Sequence, residues 1–174
     1  MTVYFALIVS VFLFLIDYVS KSIIANYCTL GDSTALIDGF LRFEYAHNYG
    51  AAFGSMQNMR ILFIIVTVCL VGVMLVAMLT KKVKNNFYIW TFALIISGGV
   101  GNLADRIFNK GGYVVDFLCF EFDWFPYIFN FADICIVIGG VSLILYMLVD
   151  LIKGFGSSKD QEDAEDVEAL SEDL

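Results

Sequence analysis

Along most of this chain the polar residues are interruptions in long apolar runs. Ile61–Thr80 holds 20 residues without a charge, and Phe87–Ala104 holds 18. As helices these would cover roughly 27–30 Å, against a hydrocarbon core of about 30 Å. Met1–Ile16 is a third uncharged run of 16 residues, and its apolar character continues past Asp17 to Ile24. Tyr127–Val149 is a fourth, 23 residues broken only by Asp133. The pattern predicts four transmembrane helices. The first run has no basic leading region and no small-residue cleavage site, so it reads as a retained helix rather than a removable signal. Pro126 stands just before the fourth run, where a helix can begin without losing a hydrogen bond.

The two long connections, about Ala25–Met59 and Asp105–Pro126, carry a different period. Leu41, Phe43 and Tyr45 alternate with Arg42 and Glu44, and Tyr113-Val114-Val115-Asp116-Phe117 is a β-branched and aromatic run just after Gly111-Gly112. Alternation of this kind predicts strands. The expected fold is therefore all-α in the membrane with a small β-element, its sheet packed by aromatic residues at headgroup depth. Lys81, Lys82 and Lys84 lie between the second and third runs, and Lys153 and Lys159 follow the fourth. By the positive-inside rule both positions are cytoplasmic, both termini face inward, and the β-platform is extracytoplasmic.

Composition sharpens the class. Of 174 residues 60% are hydrophobic and only 16% are charged, whereas soluble domains run nearer half and a quarter. Soluble enzyme, nucleic-acid binder and secreted disulfide scaffold are poor readings of such a chain. The formal charge of −8 is localised: eight acids and no base occur between Asp160 and Asp173, leaving ten acids against ten bases in residues 1–159. The expected organisation is one membrane domain, residues 1–153, followed by an acidic, disordered cytoplasmic tail, 154–174. Cys28, Cys69, Cys119 and Cys135 show no metal-finger spacing and are read as packing residues, with a Cys28–Cys119 bridge left open.

Polar side chains beside apolar spans are costly and by default suggest function. Asp17 and Lys21 are four apart on one helix face. Asn48, Gly50 and Phe53 fall in Asn-Tyr-Gly-Ala-Ala-Phe ahead of the second span. Gly98, Asn102, Asp105 and Arg106 form one stripe at the end of the third. Asn130 and Asp133 are three apart at the start of the fourth. With the orientation above, all four clusters reach the same depth, near the outer interface. Each has a plainer reading: Asp17–Lys21 as an interfacial anchor, the Asn102–Arg106 stripe as a helix end meeting headgroups, Gly98, Gly99 and Gly101 as packing glycines. A lone His47 cannot make a metal site.

Asp116 and Asp133 are harder to dismiss. Asp116 sits inside an apolar strand-like run. Asp133 falls six residues, about 9 Å, into its own run for a helix beginning near Tyr127. No lysine or arginine occurs between Glu121 and Asp150 to neutralise it. Another carboxyl sharing one proton is the simplest partner. Such a pair divides into acid and base near neutral pH, which is equipment for activating water against a peptide carbonyl. Which of the two starts protonated stays open. Arg106 is left to meet a lipid phosphate or to hold Asp105.

At these residues the chain resembles lipoprotein signal peptidase, the bacterial type II signal peptidase. The resemblance spans roughly residues 12–140 and rests on Asp17-Tyr-Val-Ser-Lys21, Asn48-Tyr-Gly-Ala-Ala-Phe53, Gly98-Gly-Val-Gly-Asn102-Leu-Ala-Asp105-Arg106, Gly112-Tyr-Val-Val-Asp116-Phe117 and Phe129-Asn-Phe-Ala-Asp133. It implies an aspartic endopeptidase of the bacterial inner membrane with four helices and a small β-platform. Such an enzyme cuts the signal peptide from prolipoproteins, just before a diacylglyceryl-modified cysteine. It implies Asp116 and Asp133 as the catalytic pair, with Asp17, Lys21, Asn48, Gly50, Asn102, Asp105, Arg106, Asn130 and Ala132 as substrate-binding or structural support. The expected partners are the lipidated substrate and membrane lipid, not nucleic acid, with the enzyme a monomer and no metal or organic cofactor called for. The chain departs from the family pattern in its acidic tail and in Cys119–Trp124.

Two readings from other classes compete. A proton-coupled carrier or channel subunit would spread carboxylates through the membrane depth and usually repeat one half in the other. A scaffold would act through its acidic tail.

Overall fold

The computed structural model describes residues 1–50, 59–122, 124 and 127–172, with only the backbone described beyond residue 153. Elements run in the order α1 (Thr2–Tyr27), β1 (Ser33–Ile37), β2 (Leu41–Asn48), α2 (Arg60–Leu79), α3 (Asn86–Phe108), β3 (Val114–Phe120), β4 (Ile128–Phe129) and α4 (Phe131–Glu172). Among the described residues four helical stretches are long and apolar enough to cross a membrane: Thr2–Tyr27, Arg60–Leu79, Asn86–Phe108 and Phe131–Lys153. Residues Met1–Gly139 make one compact unit; Gly140–Leu174, which includes α4 from Gly140 to Glu172, make a second. The tail boundary expected at Gly154 falls within α4.

The helices are built for lipid, not water. α1 buries only Ala6, Ser10, Asp17 and Lys21 while exposing Phe5, Ile8, Val11, Phe12 and Leu15. Small and polar residues turn inward and large apolar ones outward, the arrangement for a helix whose solvent is hydrocarbon. α3 is the central helix, packed against α1 and α2 and burying Ile89, Thr91, Ala93, the run from Ile95 to Gly99, Gly101 and Asn102. Asn85 caps its start, its side chain accepting from Phe87 N at 2.8 Å. At its other end the chain turns through Gly111 and Gly112, both with positive φ (95° and 76°), and Gly112 N donates to Asn109 O. That turn delivers the chain directly into β3.

The sheet is antiparallel, in the order β1-β2-β3-β4. β2 and β3 pair with Asn48 opposite Val114 and Ala46 opposite Asp116, across a bulge between Phe43 and Ala46. This register puts Asn48 beside Asp116. One cluster of Tyr45, Val115 and Phe117 packs with Ile24 and Cys28, seating the sheet on the end of α1. Beyond it Phe40, Phe120, Phe122 and Trp124 form an aromatic row, with Phe122 and Trp124 stacked at 5.4 Å.

Two expectations are corrected. The fourth helix begins at Phe131 rather than near Tyr127, because Ile128 and Phe129 pair with Cys119 and Leu118 of β3. Pro126 lies outside the described residues. All four cysteines are unbridged, so there is no Cys28–Cys119 disulfide, and Cys69 is exposed on α2 rather than packed.

Candidate active site

Five segments bring their polar residues to one place. Asp133 is the third residue of α4, in its first turn, rather than two turns inside the helix. Asn130 Oδ1 accepts from Asp133 N at 3.0 Å, and Asp133 Oδ2 accepts from Asn130 N at 3.1 Å. This is a capping box, with Asn and Asp in place of the usual Ser/Thr and Glu/Gln. The spacing Asn130-x-x-Asp133 could have disclosed it, and with it the true start of the helix. Asp17 Oδ1 accepts from Ala132 N at 2.8 Å and satisfies another of the donors at this helix end.

Asp116 enters from β3 and is almost wholly buried, 1% exposed. Its Oδ1 accepts from Asn130 Nδ2 at 2.6 Å and its Oδ2 from Asn48 Nδ2 at 2.9 Å. Asp133 Oδ1 accepts from Asn102 Nδ2 at 2.7 Å. Each of the four carboxyl oxygens therefore meets one N–H, and Asn130 bonds both carboxyls. Burial pushes the Asp116 carboxyl up to about 7, and the neighbouring Asp133 charge adds to the rise. The bonds from Asn48 and Asn130 and the charge of Lys21 hold it lower than burial alone would.

Around this pair lies a layer of ionic bonds. Lys21 Nζ pairs with Asp17 Oδ2 at 2.9 Å and Asp105 Oδ2 at 3.1 Å, and donates to Asn102 Oδ1 at 2.8 Å. Both Asp17 and Lys21 are buried, so they are not an interfacial anchor. Asp105 Oδ2 also accepts from Val115 N at 3.0 Å, which ties β3 to α3 one residue before Asp116. Arg106 does not hold Asp105. Adjacent residues on a helix point apart, and Arg106 instead donates to Asn102 O and Gly50 O, with its guanidinium 5.0 Å over the Phe63 ring. Gly50 N donates to Asn48 Oδ1, so this stretch orients the amide facing Asp116. Phe53 lies outside the described residues.

Close approach makes the layer possible. A β-carbon on Gly98 would run into Ala132 O and Ile136, and one on Gly101 into Asp17 Oδ2. Sequence reasoning missed Val115, whose main chain joins Asp105 and Asn130, and Phe63 beneath Arg106. Neither bears a reactive group, so no local signal marks them. His47 stacks on Tyr113 at 3.5 Å and bonds Tyr45 Oη at 2.9 Å. Burial lowers its proton affinity. Among the described residues no group of three or more His, Cys, Asp or Glu could hold a metal.

Comparison with known proteins identifies the family. The family model described as signal peptidase (SPase) II matches residues 9–149. A lipoprotein signal peptidase from Caldanaerobacter subterraneus subsp. tengcongensis is 39% identical over 143 residues, covering 82% of this chain and 95% of that one. One from Fusobacterium nucleatum is 38% identical over 140 residues, 78% and 83% of the two chains. A solved structure described as a bacterial membrane enzyme, obtained by the in meso method at 2.3 Å resolution, superposes with a TM-score of 0.77 at 32% identity, covering 84% of this chain and 88% of its own. A second, at 1.9 Å resolution, gives 0.72 at 31% identity, with 82% and 92% covered. These relatives give the carrier or channel reading no support. By the extent of these matches, the chain is a multi-pass membrane protein of the signal peptidase II family.

Proposed function

We propose that this protein is an aspartic endopeptidase that removes the signal peptide from diacylglyceryl-modified prolipoproteins, with Asp116 and Asp133 as its catalytic pair. The observation that carries the assignment is Asn130, which bonds Asp116 Oδ1 and Asp133 Oδ2 at once and so holds the two carboxyls as a unit. Two carboxyls this closely coupled titrate together, and the raised Asp116 keeps one proton available near neutral pH.

In the reaction one carboxylate takes a proton from water as the water oxygen attacks the scissile carbonyl carbon. The other carboxylic acid gives its proton to the carbonyl oxygen, leaving a neutral tetrahedral diol. Collapse breaks the C–N bond. One carboxyl protonates the departing amine, and the other recovers a proton from the diol hydroxyl. Asn48 and Asn102 each own a second amide N–H beyond the one given to a carboxyl, and these orient the peptide. The layer of Asp17, Lys21, Asp105 and Arg106 serves to keep the pair in place. A monomer that supplies all of these residues itself is the proposed active unit. The lysine distribution supports a site at the extracytoplasmic rim of the bacterial inner membrane, where the substrate's signal helix and acyl chains would remain in lipid.

The test uses purified full-length protein in detergent or liposomes with a diacylglyceryl-modified proprotein and its unmodified counterpart. Release of a signal peptide from the lipidated form alone, at a rate EDTA does not change, is the expected result. Asp116→Asn and Asp133→Asn should each abolish release while remaining folded. Appreciable turnover by either variant would refute the pair.

A further inference from the structure

Three asparagine amides present N–H groups to the two carboxyls, and each is held the right way round by a group that can only donate. Gly50 N fixes Asn48 and Asp133 N fixes Asn130, both through the main chain. Asn102 is different. Its Oδ1 is met by Lys21 Nζ at 2.8 Å, a side chain from another helix. An ammonium offers no acceptor, so the amide edge facing Lys21 must be the carbonyl, and Nδ2 must face Asp133 Oδ1 at 2.7 Å. Asn130 Nδ2 also reaches Asn102 Oδ1, at 3.1 Å, but divides itself with Asp116 Oδ1 at 2.6 Å and Val115 O at 3.3 Å.

We propose that Lys21 is a positioning residue for the carboxyl pair: through Asn102 it guarantees an N–H donor to Asp133 and so favours Asp133 as the ionised base. The inference rests on the peptidase reading above. The charged groups around Asp133 are Asp116 on β3 and Arg106 on α3, with Lys21 of α1 acting through Asn102. Asp17 and Asp105 are the counter-ions of Lys21 itself. Without the lysine the amide can turn its oxygen toward Asp133. Two acceptors then face each other unless Asp133 takes up a proton. Loss of the donor should therefore move the acid limb of the kcat profile to higher pH.

The charge of Lys21 also lowers Asp116 directly, but Asn102→Ala leaves that charge in place, so a shift in that variant belongs to the amide. The experiment measures kcat and KM from pH 4 to 9 on the lipidated proprotein for Lys21→Gln combined with Asp105→Asn, which changes no net charge, for Asn102→Ala, and for Lys21→Arg. Asn102→Ala leaves both ion pairs of Lys21 intact and decides the matter should the double variant not fold. The double variant and Asn102→Ala should move the acid limb up by roughly one pH unit and lower kcat below it about tenfold or more. KM should stay within about twofold in the double variant, whereas Asn102→Ala also removes the N–H that orients the peptide and should raise KM as well. Lys21→Arg, which still only donates, should bring the limb back toward its original place. Folded variants whose kcat falls by one factor at every pH, with the limb unmoved, would overturn the proposal. Activity in Asp116→Asn or Asp133→Asn, run alongside, would instead overturn the peptidase reading beneath it.

Discussion

Asp116 carries the clearest electrostatic consequence of a single side chain. Folding raises its proton affinity from near pH 4 to about pH 7, by burial first and by Asp133 second. Between those values the native chain binds a proton that the unfolded chain has released. The contribution of this group to stability therefore falls as pH rises from about 4 to about 7 and is level above. Denaturation midpoints in detergent across pH 4–8 should show that decline, and Asp116→Asn should flatten it. Asn130 is the most connected amide of the site. Asn130→Ala removes the helix cap and the link between the carboxyls together. It should lower stability by about 1–2 kcal/mol in a denaturant titration and cut turnover by far more than that loss explains. At this scale much was legible in the sequence. Asp17, Lys21, Asn102, Asp105, Asn130 and Asp133 stand out because a polar group beside an apolar span needs a reason. The partner of Arg106 was not legible, since its acceptors are main-chain oxygens that any residue could supply.

Among the elements, α3 and the first turn of α4 depend on contact without side chains between them. Gly98→Ala would press a methyl group onto Ala132 O, and Gly101→Ala onto Asp17. Either should destabilise the protein by about 1–3 kcal/mol and displace the first turn of α4 that holds Asp133, measurable as reduced thermal stability and turnover together. Gly72 on α2 meets nothing within 4 Å, so Gly72→Ala should be neutral or slightly stabilising. The four helices follow from the length of the uncharged apolar runs, β2 from its period-two alternation, and β3 from its β-branched and aromatic run after Gly111-Gly112. The start of α4 does not. Tyr127–Phe129 is as apolar as the helix after it, and only strand pairing with Leu118 and Cys119 decides that Ile128 and Phe129 are sheet.

For the molecule as a whole, sidedness is the expectation that most needs a direct measurement. It rests on where lysines fall, a property of membrane insertion that no intramolecular contact encodes. With the native cysteines replaced by serine, Ser33→Cys on the exposed strand β1 should react with an impermeant maleimide in intact spheroplasts. Lys82→Cys, between α2 and α3, should react only after lysis. Deleting residues 156–174 should leave cleavage of the lipidated proprotein intact, which the scaffold reading denies. The site draws on residues from Asp17 to Asp133, and its last contributions come latest in synthesis. A ribosome-bound chain that has not yet released Asn130 has neither its second carboxyl nor the amide that joins the first to it. On the proposed catalytic pair, the nascent polypeptide should be chemically inert throughout the insertion of its first three helices and mature only when the final segment enters the bilayer.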